Sequence, residues 1–532
     1  MKPSWASACI VIGLVGCGGD EGGGPPLPPP AAACDVAAGG GSPTTQLPTP
    51  LVALQDNGRE GWLASPGIAD LDGDGAREVV IAREGRVLAF RADGSSKWTA
   101  PVTGRVWASP VIGDFVGDAR LEVVVAARGQ IYMFDSAGAA VSGFPVTWRD
   151  EVRSLAAGDV DGDGRLEIVA VTNSPLSIGG QRDIIQVWRG DGTPQRGFPP
   201  NTGGTSGCDA NCFVTGGYDQ NLAVGPIDGD ASWDLFSGQD NAYLSWHRGD
   251  GVAFDANALF RNRKKVLGVR FMLDYAEAQQ GFGDDEATAN QAHFTNTAPA
   301  IADLDGDGTS ELIAVGSVQN AAQTDRLRGV ALWVLRSDGS RPPGWEAPFH
   351  VSQYLAGLWD FDGTNIVGAT NQVSIGELDP AVPGLDMVFA GFDGKIHLVG
   401  ADQRERWTYR YTSADNVLTG GVVLADLSGD GVVEVLFATY STAQNASALY
   451  ILDATGGLQQ KVALPGRGSM AVPSVGDLDG DGTLEIVVNL KDPEAGGRAA
   501  QVFTVPGSAT NCVQWGTARG GLLRSGYFRK GS

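Results

Sequence analysis

Short apolar runs recur along the chain, each opened by one acid: "EVVIA" (78–82), "EVVVA" (122–126), "EIVAV" (167–171), "DLFSG" (234–238), "ELIAV" (311–315), "DMVFA" (386–390), "EVLFA" (434–438) and "EIVVN" (485–489). They are too short and too β-branched for helices and suit buried strands. Most are followed by a second apolar run, as in "RVLAFRADG", "QIYMFDSAG", "IIQVWRGDG" and "ALWVLRSDG", which ends in the Asp/Gly chemistry of a tight hairpin. Each unit therefore reads as strand, acidic loop, strand, turn, strand, hairpin, strand. The units begin at residues 70, 114, 159, 226, 303, 377, 426 and 477. Their shortest spacing, about 45 residues, is the length of a four-stranded propeller blade. The pattern predicts an all-β, eight-bladed β-propeller, with a seven-bladed ring as the alternative. A four-stranded sheet cannot bury both faces alone, and radial stacking closes the core without long exposed edges.

The loop between the first two strands carries the chemistry. "DLDGDGARE" places Asp70, Asp72, Asp74 and Glu78 within nine positions. Like charges this close repel unless neutralised, and an Asp-x-Asp-x-Asp-Gly turn is how a loop wraps oxygens around a hard cation. An EF-hand closes its loop with a Glu at position twelve between helices. Here the closing acid sits at position nine, and the loop joins strand to strand. The segment returns at 159–167, 303–311, 426–434 and 477–485. Three copies are weaker: "DFVGDARLE" (114–122) keeps Asp114, Asp118 and Glu122 but has Val116 at the third position, "PIDGDASWD" (226–234) opens on Pro226, and "ELDPAVPGLD" (377–386) is distorted by two prolines. A hairpin corner needs one Asp, not three with an acid at fixed spacing. The five good loops are therefore read as calcium sites, and the three degenerate ones as weak or empty.

These units resemble the FG-GAP/VCBS repeats, whose relatives include the calcium-binding propellers of integrin α subunits. The resemblance spans residues 50–532. It implies Ca2+ held by the first, third, fifth and ninth side chains of each loop and the carbonyl of the seventh residue. The implied ligands are Asp70, Asp72, Asp74, Ala76 and Glu78; Asp159, Asp161, Asp163, Arg165 and Glu167; Asp303, Asp305, Asp307, Thr309 and Glu311; Asp426, Ser428, Asp430, Val432 and Glu434; and Asp477, Asp479, Asp481, Thr483 and Glu485. Charge agrees with that reading. Four loops with four acids and two with three hold 22 acidic side chains, against a net charge of −24. Without divalent cations this charge would strain the fold, and it repels nucleic acid.

The N-terminus stands apart. Lys2 and "ASACIVIGLVG" read as a signal peptide (1–16), too short to anchor by itself. It ends in "LVGC", which resembles a bacterial lipobox with Cys17 as the lipidated residue. The Gly/Pro-rich stretch that follows (17–49) is expected to tether the propeller (50–532) to a membrane of the bacterial cell envelope, outer membrane or cell surface. Lipidation leaves Cys34, Cys208, Cys212 and Cys512, which allow three connectivities. "CDANC" suits a local Cys208–Cys212 loop, and that leaves Cys34 with Cys512, near the two ends of the mature chain, which a closed propeller would bring together. The stretch "TPLVALQ" (49–55) is the candidate strand to complete the last blade from the other end.

Further features narrow the function. The four histidines share no metal-ligand spacing, and no Walker, dinucleotide, Gly-x-Ser-x-Gly or HExxH motif is present. The two Arg-Gly-Asp triplets, at 189–191 and 248–250, fall on hairpin corners and are read as turns. Trp188, Trp246 and Trp333 lie in strands and are assigned to the blade core. The spacings of 67, 77 and 74 residues after the third, fourth and fifth loops mark long insertions, expected on the face opposite the calcium loops. One insertion holds a basic cluster, Arg261, Arg263, Lys264, Lys265 and Arg270, a candidate polyanion site in so acidic a chain. The leading expectation is a monomeric binding or adhesion platform for a glycan or protein, without catalysis. A calcium-assisted polysaccharide lyase, as the rhamnogalacturonan lyases suggest, is the alternative, and a quinoprotein-like dehydrogenase comes third.

Overall fold

The computed structural model describes residues 34–529, apart from 57–58, 149–150, 173–184, 201–219, 239–242, 259–268, 271–291, 295–296, 319–328, 356–359, 362–364, 367–370, 380 and 494–496. The expected signal peptide, Cys17, Cys208, Cys212, Arg261, Arg263, Lys264, Lys265 and most of the long insertions lie outside the described residues.

Eight antiparallel blades close into a ring, and the eight-fold count of acidic loops is the blade count. The innermost strands are Gly67–Ala69, Val111–Gly113, Val152–Gly158, Leu222–Gly225, Ala300–Ala302, Asn371–Gly376, Val423–Ala425 and Ser474–Gly476. Each acidic loop leads from one of these into the second strand of the same blade: Glu78–Arg83, Glu122–Ala127, Glu167–Thr172, Asp234–Gly238, Glu311–Val318, Asp386–Ala390, Glu434–Ser441 and Leu484–Asn489. Burial explains the sequence pattern. All six residues of Glu78–Arg83 are buried, because blades pack on both faces: Val79 and Ile81 face Val487 and Val502 of blade eight, while Val80 and Ala82 face Val123 and Val125 of blade two. A continuous apolar run results. The outer strand Ser96–Pro101 has water on one side and alternates.

The ring is closed from the other end of the chain, as expected. Thr49–Gln55 pairs antiparallel with Arg498–Val505, placing Thr49 opposite Thr504 and Leu54 opposite Ala500. Cys34 is disulfide-bonded to Cys512. Arg83 clamps the seam where blade one meets blade eight: fully buried, it donates to Asn489 Oδ1 (2.7 Å), Leu490 O (2.8 Å) and Ala499 O (3.0 Å) and lies 3.6 Å from the buried Asp56 carboxylate.

The axis is filled by the protein's own backbone. Residues 515–528 run around it and meet the inner strand of blade after blade: Gly516 O accepts from Val475 N, Leu522 O from Ile112 N, Leu523 O from Ala157 N, Ser525 O from Val224 N, and Gly526 O from Ile301 N, all at 2.7–3.0 Å. Two arginines of this segment are wholly buried, and among the described residues neither forms an ion pair. Arg524 donates to Ser65 O, Pro66 O, Pro110 O, Ala518 O and Thr517 Oγ1, and Arg519 to Leu155 O and Leu222 O. Inner-strand carbonyls around Arg519, and mainly carbonyls of the links that lead into inner strands around Arg524, thus take the place of water.

Candidate metal centres

Within each loop the first acid organises the backbone. Asp70 Oδ1 accepts from Gly73 N (2.8 Å) and Oδ2 from Gly75 N (2.8 Å). The two glycines sit at φ 73° and 90°, the left-handed region that a side chain would strain. Asp303, Asp426 and Asp477 make the same pair of contacts. The ninth acid folds back beneath the loop: Glu78 Oε2 accepts from Leu71 N, Glu167 from Val160 N, Glu311 from Leu304 N, Glu434 from Leu427 N and Glu485 from Leu478 N, at 2.6–3.1 Å. This leaves the other carboxylate oxygen facing the loop.

Five loops draw three carboxylates together, with one oxygen from each lying within 4.8 Å of the others: Asp70, Asp72 and Glu78; Asp159, Asp161 and Glu167; Asp303, Asp305 and Glu311; Asp426, Asp430 and Glu434; Asp477, Asp479 and Glu485. These are the five loops singled out by sequence. The fifth-position acids Asp74, Asp163, Asp307 and Asp481 each engage the backbone with one oxygen. Each caps the turn by accepting the backbone N–H of the seventh residue, Ala76, Arg165, Thr309 and Thr483, at 2.7–2.9 Å. Asp430 does this for Val432 and also joins its cluster, where Ser428 stands at the third position.

The donor set fits a hard divalent cation. Buried oxygens of Asp72, Asp159 and Glu485 have no hydrogen-bond partner. Burial, with the neighbouring acids adding to it, pushes Glu167, Glu311 and Glu485 up to about 7 and Glu434 up to about 8. An all-oxygen cluster of this charge is what Ca2+ takes. Asp70, Asp72 and Glu78 with their counterparts would hold it. Loop one differs in that Lys97 Nζ lies 2.6 Å from Asp72 Oδ2 and 2.8 Å from Glu78 Oε1, so a tethered ammonium already sits among its acids.

The three degenerate copies keep the loop shape without the acid cluster. Glu122 accepts from Phe115 N, Asp234 from Ile227 N and Asp386 from Leu378 N. Ala119 takes the position of the second loop glycine at φ 67°. The Arg-Gly-Asp triplets belong to the fold. A Cβ at Gly190 would lie 2.0 Å from Phe115 O, and one at Gly249 1.7 Å from Val160 O, so each hairpin packs its backbone on the preceding blade's loop. Arg189 pairs with Asp161 and Arg248 with Asp228, both at 3.2 Å, which puts hairpins and acidic loops on one face of the disc. Trp188, Trp246 and Trp333 are buried, as assigned. Sequence reasoning missed a second tryptophan role: the indoles of Trp98, Trp246, Trp345 and Trp407 each donate to a hairpin carbonyl of the next blade, Ser136, Ser337, Ala401 and Ala454.

The family of FG-GAP-like repeats matches residues 70–125, 114–170 and 426–488, each span covering one or two of these loops. Those three spans carry FG-GAP-like repeats. No curated protein matches the chain. Among solved structures, the V. cholerae biofilm matrix protein Bap1 is similar in fold at 14% identity (TM-score 0.40, covering 93% of this chain and 96% of that one). BamB from Moraxella catarrhalis is similar at 11% identity (TM-score 0.45, 86% and 98%), and BBS1N, solved in complex with ARL6DN, at 10% (TM-score 0.43, 88% and 98%).

On the face opposite the FG-GAP-like loops, the links between blades bring Trp62 and Trp107 together, ring centroids 4.7 Å apart. Their faces are already covered by cations: Lys491 Nζ and Arg105 over Trp62 (3.0 and 4.6 Å) and Arg153 over Trp107 (3.7 Å). Of the predicted basic cluster only Arg270 is reached by the described chain, where its backbone pairs with Tyr243.

Proposed function

We propose that this chain is a calcium-binding, lipid-anchored propeller of the bacterial cell envelope that serves as a rigid binding or adhesion platform for a glycan or protein. The observation that carries the calcium reading is the set of five three-carboxylate clusters at corresponding positions of five blades, with unpartnered buried oxygens in three of them. Cations there would neutralise the charge that the loops concentrate on one face. The platform reading rests on rigidity: a ring sealed at its seam and filled along its axis presents loops on a scaffold that does not move. Cys17 would supply the membrane anchor, and the long insertions after the third, fourth and fifth loops, with Arg263, Lys264 and Lys265, would supply the partner surface.

Calcium titration of the metal-stripped protein tests the first part, with about five sites expected. Each would stabilise the fold by about 2.7 kcal/mol at a hundredfold excess over Kd. A melting curve identical in chelator and in calcium would overturn it. Metabolic labelling with a radioactive fatty acid, lost in Cys17→Ser, tests the anchor. A glycan array probed with the purified ectodomain tests the platform, and unsaturated products released from an acidic polysaccharide would replace that reading with a lyase.

A further inference from the structure

The loop at Asp426–Glu434 is unlike the other four that cluster acids. Its floor and roof are both protein: Asp426, Ser428 and Glu434 are 0–3% exposed, whereas Asp305 and Asp479 of other loops are exposed. The roof is the segment from Cys34 onwards. Cys34 N donates to Gly431 O (2.9 Å), Ala37 N to Gly429 O (2.9 Å) and Ser42 N to Ser428 O (3.1 Å), so this segment runs along the metal loop residue by residue. Gly41 lies so close that a Cβ there would meet Asp430 N at 2.1 Å. The wall is the stretch around Cys512. Asp426 N donates to Cys512 O (3.0 Å), and Asn511 Nδ2 bridges Asp426 Oδ2 (2.6 Å) and Asp35 O (2.7 Å). Asn511 Oδ1 is buried without a partner. The Cys34–Cys512 disulfide therefore ties the roof of this one acidic loop to its wall.

We infer that the Asp426–Glu434 loop and the Cys34–Cys512 disulfide form one coupled clasp, in which a divalent cation in the loop protects the disulfide from reduction and the disulfide tightens the loop's hold on the cation. The inference rests on the calcium reading of the loops. Its physical basis is shared structure. A cation drawing Asp426, Asp430 and Glu434 together fixes the carbonyls of Ser428, Gly429 and Gly431 on which the roof hangs, and so holds both sulfurs in their paired arrangement. Reduction by a dithiol breaks the S–S bond, delivers two electrons and two protons to give two thiols, and leaves the reductant as its own cyclic disulfide. The roof, then held by three backbone hydrogen bonds and the Asn511 bond to Asp35 O, can lift and admit water to the acids. Coupling of this kind is reciprocal, so each half must affect the other by the same factor.

The test follows reduction of the native protein by dithiothreitol, with thiols alkylated at intervals and Cys34 and Cys512 read separately from Cys208 and Cys212 by peptide mapping. Calcium is expected to slow the appearance of the Cys34 and Cys512 thiols by about tenfold or more, within the ordinary range of couplings. Asp430→Asn should abolish the protection, and Asp305→Asn, in a loop two blades away, should leave it intact. As the reciprocal arm, Cys34→Ser/Cys512→Ser should weaken one calcium site and no other. Equal protection in Asp430→Asn, or an unchanged reduction rate in a protein that binds its calcium, would overturn the coupling. A protein that binds no calcium at all would overturn the calcium reading and the clasp together.

Discussion

Replacing Arg524 by methionine tests whether the filled axis holds the ring together. The guanidinium is fully buried and donates to four carbonyls, those of Ser65, Pro66, Pro110 and Ala518, on links and turns from three regions of the chain. Burial pushes its pKa down to about 9, so it stays charged at neutral pH. Methionine fills similar volume and donates nothing. Losing a hydrogen bond to a charged donor costs about 2 kcal/mol per carbonyl, about 8 kcal/mol for four. Against this, the variant no longer desolvates a charge, which returns about 5 kcal/mol for a pKa displaced from 12.5 to about 9. The hydrogen bonds win, and R524M should lose about 3 kcal/mol. Arg524→Lys, which keeps the charge but reaches fewer carbonyls, should fall between the two. Urea unfolding in saturating calcium gives the free energies, and hydrogen exchange at Ile112, Ala157 and Val224 gives the local effect. An R524M protein as stable as the parent, or a lysine variant with full stability, would refute the reasoning, the second because charge alone would then suffice.

Further outcomes follow from the loops. Glu167, Glu311, Glu434 and Glu485, raised to about 7, 7, 8 and 7, hold protons in the metal-free fold at pH values where the unfolded chain has released them. The folded state then binds the extra protons, so stability falls as pH rises from about 4.5 through these values. Chelated protein should therefore melt higher at pH 5 than at pH 8, and calcium's gain should be largest at pH 8; a pH-independent gain would contradict this. Lys97→Ala removes the ammonium between Asp72 and Glu78 and should raise loop one's calcium affinity about tenfold, a factor equal to 1.4 kcal/mol, with unchanged titrations counting against it. Gly249→Ala drives a methyl to within 1.7 Å of Val160 O and should cost about 1–3 kcal/mol in urea unfolding, as overpacking does. Arg248→Ala, which loses a partly exposed ion pair and a cation–π contact with Phe254, should cost under about 2 kcal/mol.

Much of this architecture was legible because it is periodic. One acid before each β-branched run fixes where a loop meets a strand, and the run is continuous because blades pack on both of its faces. The closing strand Thr49–Gln55 and the Cys34–Cys512 pair were readable for a related reason, since a ring must join its ends. What escaped lies in segments with no repeat to compare. "GTARGGLLRSGYF" contains two arginines among glycines and apolar residues, which on its face describes a solvated loop. Only the ring's eight converging inner strands create the carbonyl-lined space that accepts Arg519 and Arg524. The roof over Asp426–Glu434 was hidden likewise, because "CDVAAGGGS" has the composition of a tether and packs only where Gly41 lets it approach Asp430. Lys97 was invisible because strand alternation gives no sign that its ammonium reaches back to the loop.

The seam has a consequence for how the protein is made. Thr49 is among the first residues of the fold to leave a ribosome or a translocation pore, and its partner Thr504 is among the last. Contacts of such sequence separation form slowly, and until they form the earlier blades present an unpaired edge and an open axis. Blades one to seven can collapse as they emerge, yet none can lock, since the axial residues 515–528 that touch them arrive later still. A chain cut short anywhere before that stretch would be left as an incomplete ring with apolar inner strands facing water, a species that quality-control proteases can recognise and remove. Emergence of residues 515–528 and acquisition of the stable fold are thereby made one event.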